Sequence, residues 1–223
     1  MKVALIHATT TAVAPIERAF RDEASGSGAA VELLHLMDTG LLAMMEAEGE
    51  LTPGIVERMA VLLDLAMQSQ TDCIQLTCSA FNEAVLTLQP RYGVKLFRSD
   101  EAMLDEALAY ERIGLVSTVR QTPVALLAYL KARKPDVRVR SLVEPGLIHL
   151  LFQGRRKEHD ERIVDMVREL DGHVDVIVLS QYSMDHVAEQ VRPSVPLLTA
   201  PAASARRCLA YLTGTRRTSR TSR

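Results

Sequence analysis

The chain has 223 residues, 48% of them apolar, and a formal net charge of −2. That is enough for one large α/β domain or two small ones, and the charge argues against a general role on nucleic acid or a membrane surface. No stretch approaches the roughly 18–20 apolar residues of a membrane span, and the N-terminus reads as a strand instead of a basic and apolar leader. Cysteines stand at 73, 78 and 208; they offer no zinc spacing and no even count for disulfides, so a cytoplasmic protein without bound metal is expected.

In chain order, residues 3–7 read as a buried strand ending in His7, followed by the small and hydroxyl-bearing loop Ala8-Thr9-Thr10-Thr11. Pro15 suits the first turn of a helix over 16–24, which Ser25-Gly26-Ser27-Gly28 is expected to break. A second strand over 31–37 ends at Asp38, and a methionine-rich segment comes next over 41–50. Met37, Met44 and Met45 pack in a core or cover a site as a flexible lid. Thr52 and Pro53 open a helix to about residue 69, with Ile55, Met59, Leu62, Leu63 and Ala66 at helical spacing. A strand over 72–76 leads to Cys78 and a helix over 82–88. Next come a strand over 94–97 and a helix over 101–110. The order then restarts at Arg112: strand 113–117, helix 123–132, strand 137–142, helix 157–170, strand 174–180, helix 184–191, strand 195–198 and helix 204–212. This alternation predicts parallel sheets covered by helices on both faces. We expect two halves, 1–110 and 111–213, and a disordered basic tail over 214–223.

The stretch Asp72-Cys73-Ile74-Gln75-Leu76-Thr77-Cys78-Ser79-Ala80-Phe81 organises the rest. An apolar run delivers a thiol to the C-terminal edge of a parallel strand, where ligands of open α/β sheets bind. A helix directly after it would favour a thiolate there through its unpaired amides and dipole; the alternative is a small buried core residue. The frame recurs about a hundred residues later, with Asp72, Ile74, Leu76 and Thr77 matched by Asp175, Ile177, Leu179 and Ser180. Gln181 stands where Cys78 does. The strands 2–7 and 112–117, and 94–97 and 195–198, match in the same order, so the two halves are read as repeats. Strand-end loops of both halves are expected to meet at a cleft between them, related by a pseudo-twofold axis.

Together Ile6-His7-Ala8-Thr9, Thr77-Cys78-Ser79-Ala80-Phe81, Asp100-Glu101-Ala102-Met103, Ile113-Gly114-Leu115-Val116-Ser117-Thr118 and Leu179-Ser180-Gln181-Tyr182-Ser183-Met184 resemble the aspartate/glutamate racemase superfamily, which includes hydantoin racemases, maleate isomerases and arylmalonate decarboxylases. The resemblance covers about residues 1–212. It implies two Rossmann-like halves, a small carboxylate substrate, and no metal, pyridoxal phosphate or nucleotide. It also implies one cysteine from each half on opposite faces of the substrate, one removing a proton from carbon and the other returning one. Cys78 matches the first; Gln181 fills the place of the second, and an amide is neither acid nor base near neutral pH. By position Thr9, Thr10, Ser79, Ala80, Thr118, Tyr182 and Ser183 are the candidate substrate-binding residues. Ordinary turn and cap duty is the other reading of their hydroxyls.

His7 is the remaining catalytic candidate, as a base or a partner of Cys78, or else a strand-end histidine held by a backbone carbonyl. Asp38 orients His7 or a substrate amine, or simply caps its loop. His149, His159, His173 and His186 show no ligand spacing and read as surface or structural. The leading expectation is a cofactor-independent racemase or isomerase of a small carboxylic acid using a single thiolate, assembled as a homo-oligomer. A one-sided decarboxylase or lyase, and a catalytically silent carboxylate-binding module, are the rivals. A dinucleotide-binding dehydrogenase is excluded because no Gly-x-Gly-x-x-Gly comes after the first strand.

Overall fold

The structure is a computed structural model that describes residues 1–28, 30–120 and 122–221. It opens with β1 (Lys2–His7), a 3-10 turn and α1 (Val13–Ser27), then β2 (Glu32–Met37), α2 (Gly40–Glu48), α3 (Pro53–Gln68), β3 (Cys73–Leu76), α4 (Ala84–Leu88) and β4 (Lys95–Phe97). It continues through α5 (Glu101–Ala107), β5 (Arg112–Ser117), α6 (Thr122–Arg133), β6 (Arg138–Val143), α7 (Ile148–Phe152), α8 (Arg156–Leu170), β7 (Val176–Leu179), a 3-10 stretch over Tyr182–Glu189, β8 (Leu197–Thr199) and α9 (Ala200–Thr221). No described helix is long and apolar enough to cross a membrane.

The strands form two four-stranded parallel sheets with the same order, β2-β1-β3-β4 and β6-β5-β7-β8. The repeat read from the sequence extends to single hydrogen bonds. Asp72 accepts the Lys2 amide at 2.7 Å and Asp175 accepts the Arg112 amide at 2.9 Å. At the other end of these strands, the amides of Thr77 and Ser180 reach the carbonyls of Ile6 and Val116, both at 3.1 Å.

Both faces of the central strands are buried, which is why they read as continuous apolar runs. Ala4, Ile6, Ile74 and Leu76 pack with Leu41, Met45, Ile55, Met59 and Leu63 of α2 and α3. Thr52 caps α3, accepting the Ile55 amide, with Pro53 in the first turn. In the second unit Val116, Ile177 and Leu179 pack with Ile163, Val167 and Leu170 of α8 and with Met184 and Val187. Met45 is core, Met44 packs against that core, and Met37 is 38% exposed.

By contacts the chain divides into Met1–Ser99 with Pro201–Arg223, and Asp100–Ala200, not into 1–110 and 111–213. Two helices account for the difference. Tyr129 of α6 donates to Asp105 of α5 at 2.7 Å, drawing α5 into the second unit. The last helix packs on the first unit: Cys208 lies against Gln75 at 3.3 Å, Arg206 pairs with Glu23 at 2.9 Å, and the Tyr211 and Phe97 rings meet edge to face. The backbone of α9 stays helical to Thr221, so residues 214–221, expected to be disordered, prolong a helix whose earlier turns are anchored; residues 222–223 lie outside the described residues. The expected break over residues 25–28 falls at the last of them. The helix holds to Ser27 and ends at Gly28, which takes the left-handed conformation at φ 66°.

Gly114 is fixed by close approach. A Cβ there would lie 2.9 Å from Cδ1 of Leu170 and 3.2 Å from Cγ2 of Val174, and Leu170 is fully buried. Gly114→Val is therefore expected to destabilise the protein by about 1–3 kcal/mol through overpacking, measured by urea unfolding. An unchanged midpoint would show that α8 can move away from β5.

Candidate active site

Thr77 and Cys78 continue β3 past its last paired residue. The Thr77 hydroxyl donates to the Ile6 carbonyl at 3.0 Å, so it accepts from Nδ1 of His7 at 2.9 Å. Nε2 of His7 lies 3.0 Å from Nδ1 of His35, the two rings stack 5.1 Å apart, and Nε2 of His35 is 3.3 Å from Glu17. His7 is fully buried; burial first, then the neighbouring His35, holds its pKa down to about 4. The ring is neutral near pH 7, and both its nitrogens are engaged away from Cys78. His7 and Cys78 border the same small hollow, with Ala8, Met59 and Phe81, but His7 is neither a free base nor the hydrogen-bond partner of the thiol. Its partner is Thr77, not the backbone carbonyl considered as the alternative.

Cys78 is half-buried, while Cys73 and Cys208 are fully buried. Burial pushes its pKa up to about 11, opposed by the Ala80 amide that donates toward the sulfur. Cys78 leads into a single 3-10 turn, Ser79–Phe81, and the five-residue α4 begins only at Ala84. So short an element supplies little dipole, and desolvation of the charged form wins.

The second unit repeats the arrangement with different chemistry. The Ser180 hydroxyl donates to the Val116 carbonyl at 2.5 Å and lies 2.6 Å from that of Ser117, which stands in the place of His7. Gln181 occupies the position of Cys78, and its Oε1 accepts the Thr118 amide at 2.8 Å. That bond engages the oxygen alone, and Nε2 is buried without a partner. Oγ1 of Thr118 and Oγ of Ser183 are buried and unpartnered as well. Buried polar atoms nearly always have partners, so three such atoms on two strand-end segments joined by the bond from Thr118 to Gln181 are unusual.

Of the other expected residues, Thr9 is buried, with its hydroxyl 3.0 Å from that of Thr11, and Thr10 is exposed at the start of the 3-10 turn. Ser79 and Tyr182 are buried and Ala80 half-buried. Asp38 accepts the Gly40 amide at 2.9 Å and pairs with Arg58, so it holds the loop that leads into α2. Two hollows lie elsewhere, one along α1 at Glu17, Phe20 and Arg21 and one along α8, and contain none of these residues.

The family model described as Asp/Glu/hydantoin racemase matches residues 3–208. The chain belongs to the Asp/Glu/hydantoin racemase family. No curated protein matches its sequence. Among solved structures, glutamate racemase from Francisella tularensis in complex with D-glutamate superposes with a TM-score of 0.70 at 9% identity, over 96% of this chain and 82% of that one. An aspartate racemase homologue from Pyrococcus horikoshii gives 0.70 at 12%, over 95% and 99%. Allantoin racemase from Klebsiella pneumoniae gives 0.64 at 16%, over 96% and 88%. At such identities the likeness is one of fold.

One polar residue of this racemase-family chain was missed in the sequence. Asn82 is fully buried; its Oδ1 accepts the Ser99 amide and hydroxyl at 2.9 and 3.1 Å, and its Nδ2 has no partner. Each unit thus holds a side-chain amide whose oxygen is tied to a backbone N–H and whose NH2 is left over. The signal was an asparagine four residues past the thiol, which reads equally as a helix start.

Two outcomes are expected. Unfolded His7 takes up a proton near pH 6.5 and folded His7 only near 4, so its contribution falls as pH drops through 6.5 and levels below 4. Denaturant unfolding from pH 7 to 4 is expected to show the natural protein losing about 3 kcal/mol more than His7→Asn; parallel losses would rule out His7 as the source. In iodoacetamide labelling with peptide mapping, Cys78 is expected to react before Cys73 and Cys208. Its rate should still be climbing near pH ~10, beyond the ~8.5 of a free thiol. A plateau below that value would mean the sulfur is stabilised as a thiolate.

Proposed function

We propose that this chain is a cofactor-independent enzyme of the racemase and isomerase type that acts on a small carboxylic acid, with Cys78 as its single acid–base group. The observation that carries the reading is the set of unpartnered donors in the second unit: Nε2 of Gln181 and the hydroxyls of Thr118 and Ser183. A carboxylate is acceptor-only and satisfies several donors at once. In this reading those three groups hold the carboxylate, with Thr9, Thr10, Ser79, Ala80 and Tyr182 as further binding candidates. Gln181, fixed through Oε1 by the Thr118 amide, serves as a donor to the enediolate form of the substrate. His7 positions Thr77, and through it the end of the strand that bears Cys78.

Proton transfer is then one-sided. In isomerisation Cys78 gives its proton to solvent as substrate binds, and the thiolate takes a proton from one carbon and returns it, on the same face, to a neighbouring carbon of the delocalised anion. The raised pKa of Cys78 favours a second reading, in which its resting thiol serves as the acid. In a decarboxylation the bond from the α-carbon to one carboxylate breaks and carbon dioxide leaves. The electron pair spreads into the remaining carboxylate as an enediolate, Sγ–H delivers its proton to carbon, and solvent reprotonates the sulfur.

Proton NMR of small mono- and dicarboxylates in deuterated buffer, with chiral chromatography, tests this. The natural protein is expected to turn over a small carboxylate with label entering on one face and to be a poor racemase of aspartate and glutamate. Cys78→Ala is expected to be inactive. Thr118→Val and Ser183→Ala should each weaken carboxylate binding by about ten- to a hundredfold, the worth of one hydrogen bond to a charged group. Gln181→Cys should raise exchange of the α-hydrogen from both enantiomers. Fast two-way racemisation by the natural protein would overturn the one-sided mechanism, and binding without turnover would make the chain a silent carboxylate-binding module.

A further inference from the structure

The four histidines of the second unit show no ligand spacing in sequence, yet the fold brings two of them to one carboxylate. His159 and Asp160 lie in the first turns of α8, and His186 lies in the 3-10 stretch that begins just past Gln181. Oδ1 of Asp160 accepts from Nδ1 of His159 at 2.9 Å and from Nε2 of His186 at 2.7 Å. Its Oδ2 accepts from Gln190 at 2.9 Å and lies 3.6 Å from Arg156, whose side chain is largely exposed. One ligating atom from each of His159, Asp160 and His186 falls within 4.8 Å of the others. Asp160 is 6% exposed and His159 is fully buried.

Histidine buried for structure alone normally has both ring nitrogens satisfied. Nε2 of His159 is buried without a partner, which leaves it to carry the ring's proton when Nδ1 serves as a ligand. Two imidazoles and one carboxylate are a donor set that borderline divalent ions select, zinc above magnesium or calcium. A groove along α8, lined by Asp160, Arg156, Glu161 and Gln190, reaches the carboxylate from solvent.

We propose that His159, Asp160 and His186 form a binding site for a divalent transition-metal ion of the zinc type, with Gln190 orienting the carboxylate from its other oxygen. The ion takes the place of the two N–H protons that face Oδ1. Each imidazole stays neutral by carrying its proton on its other nitrogen, Nε2 of His159 and Nδ1 of His186. Bound there, the ion cross-links α8 to the segment that begins just past Gln181.

The full chain, stripped of metal by a chelator and dialysed, is titrated with zinc by calorimetry and with cobalt by visible absorption. One equivalent is expected to bind, with a cobalt spectrum lacking the intense sulfur-to-metal band of thiolate ligation. The thermal unfolding midpoint should rise with zinc. Asp160→Asn and His186→Ala should each weaken binding by at least about tenfold, and Gln190→Leu by about tenfold as the loss of an outer hydrogen bond to a ligand. His149→Ala and His173→Ala should leave binding unchanged. Because the ligand variants remove buried hydrogen bonds, histidine nitrogen resonances of the natural protein supply a reading that needs no substitution: those of His159 and His186 are expected to shift with zinc. Absence of saturable binding would overturn the site, as would a thiolate band or shifts confined to the other histidines.

Discussion

The last rung of each central strand pair carries the site. In the first unit the Ile6 carbonyl accepts both the amide and the hydroxyl of Thr77; in the second the Val116 carbonyl accepts both from Ser180. A ladder bond doubled by a side-chain bond fixes the strand end more tightly than one bond does, and the next residue inherits that position. Cys78 and Gln181 are those next residues. Their place is set by a threonine and a serine.

From that shared frame the two units diverge in the groups around it. The neighbour of Thr77 is His7, buried, neutral near pH 7 and stacked on His35; the neighbour of Ser180 is another serine. Burial pushes the pKa of Cys78 up to about 11, opposed by the Ala80 amide. The second unit ties its amide oxygen to a backbone N–H and leaves the NH2 group unspent. One unit thus presents a proton, the other a set of hydrogen-bond donors. That asymmetry separates the chain from a symmetric pair of thiols and underlies the one-sided reaction proposed for it.

Unspent donors are costly to bury without a ligand. An unpaired polar group out of water costs roughly 1–3 kcal/mol by mutational measures. Thr118, Gln181 and Ser183 each carry one such atom, and so does Asn82. Stability alone would favour their replacement by apolar residues of similar shape.

The architecture was legible in the order of residues alone. Apolar runs flanked by small residues, in matching order in two halves, leave little choice but parallel strands covered on both faces, because only buried strands tolerate such runs. The residues that end those strands were legible too, since Asp72 and Asp175, Thr77 and Ser180, and Cys78 and Gln181 stand in one frame. Packing decided the properties that no local pattern contains. The protonation of Cys78 depends on desolvation and on a turn too short to carry a dipole. The partners of His7 lie 28 and 70 residues away, at His35 and Thr77. The last helix joins the first unit because Cys208 and Arg206 find Gln75 and Glu23 there. His159 and His186 meet only because α8 and the segment after β7 pack on each other, and spacing along a chain says nothing of atoms brought together across it.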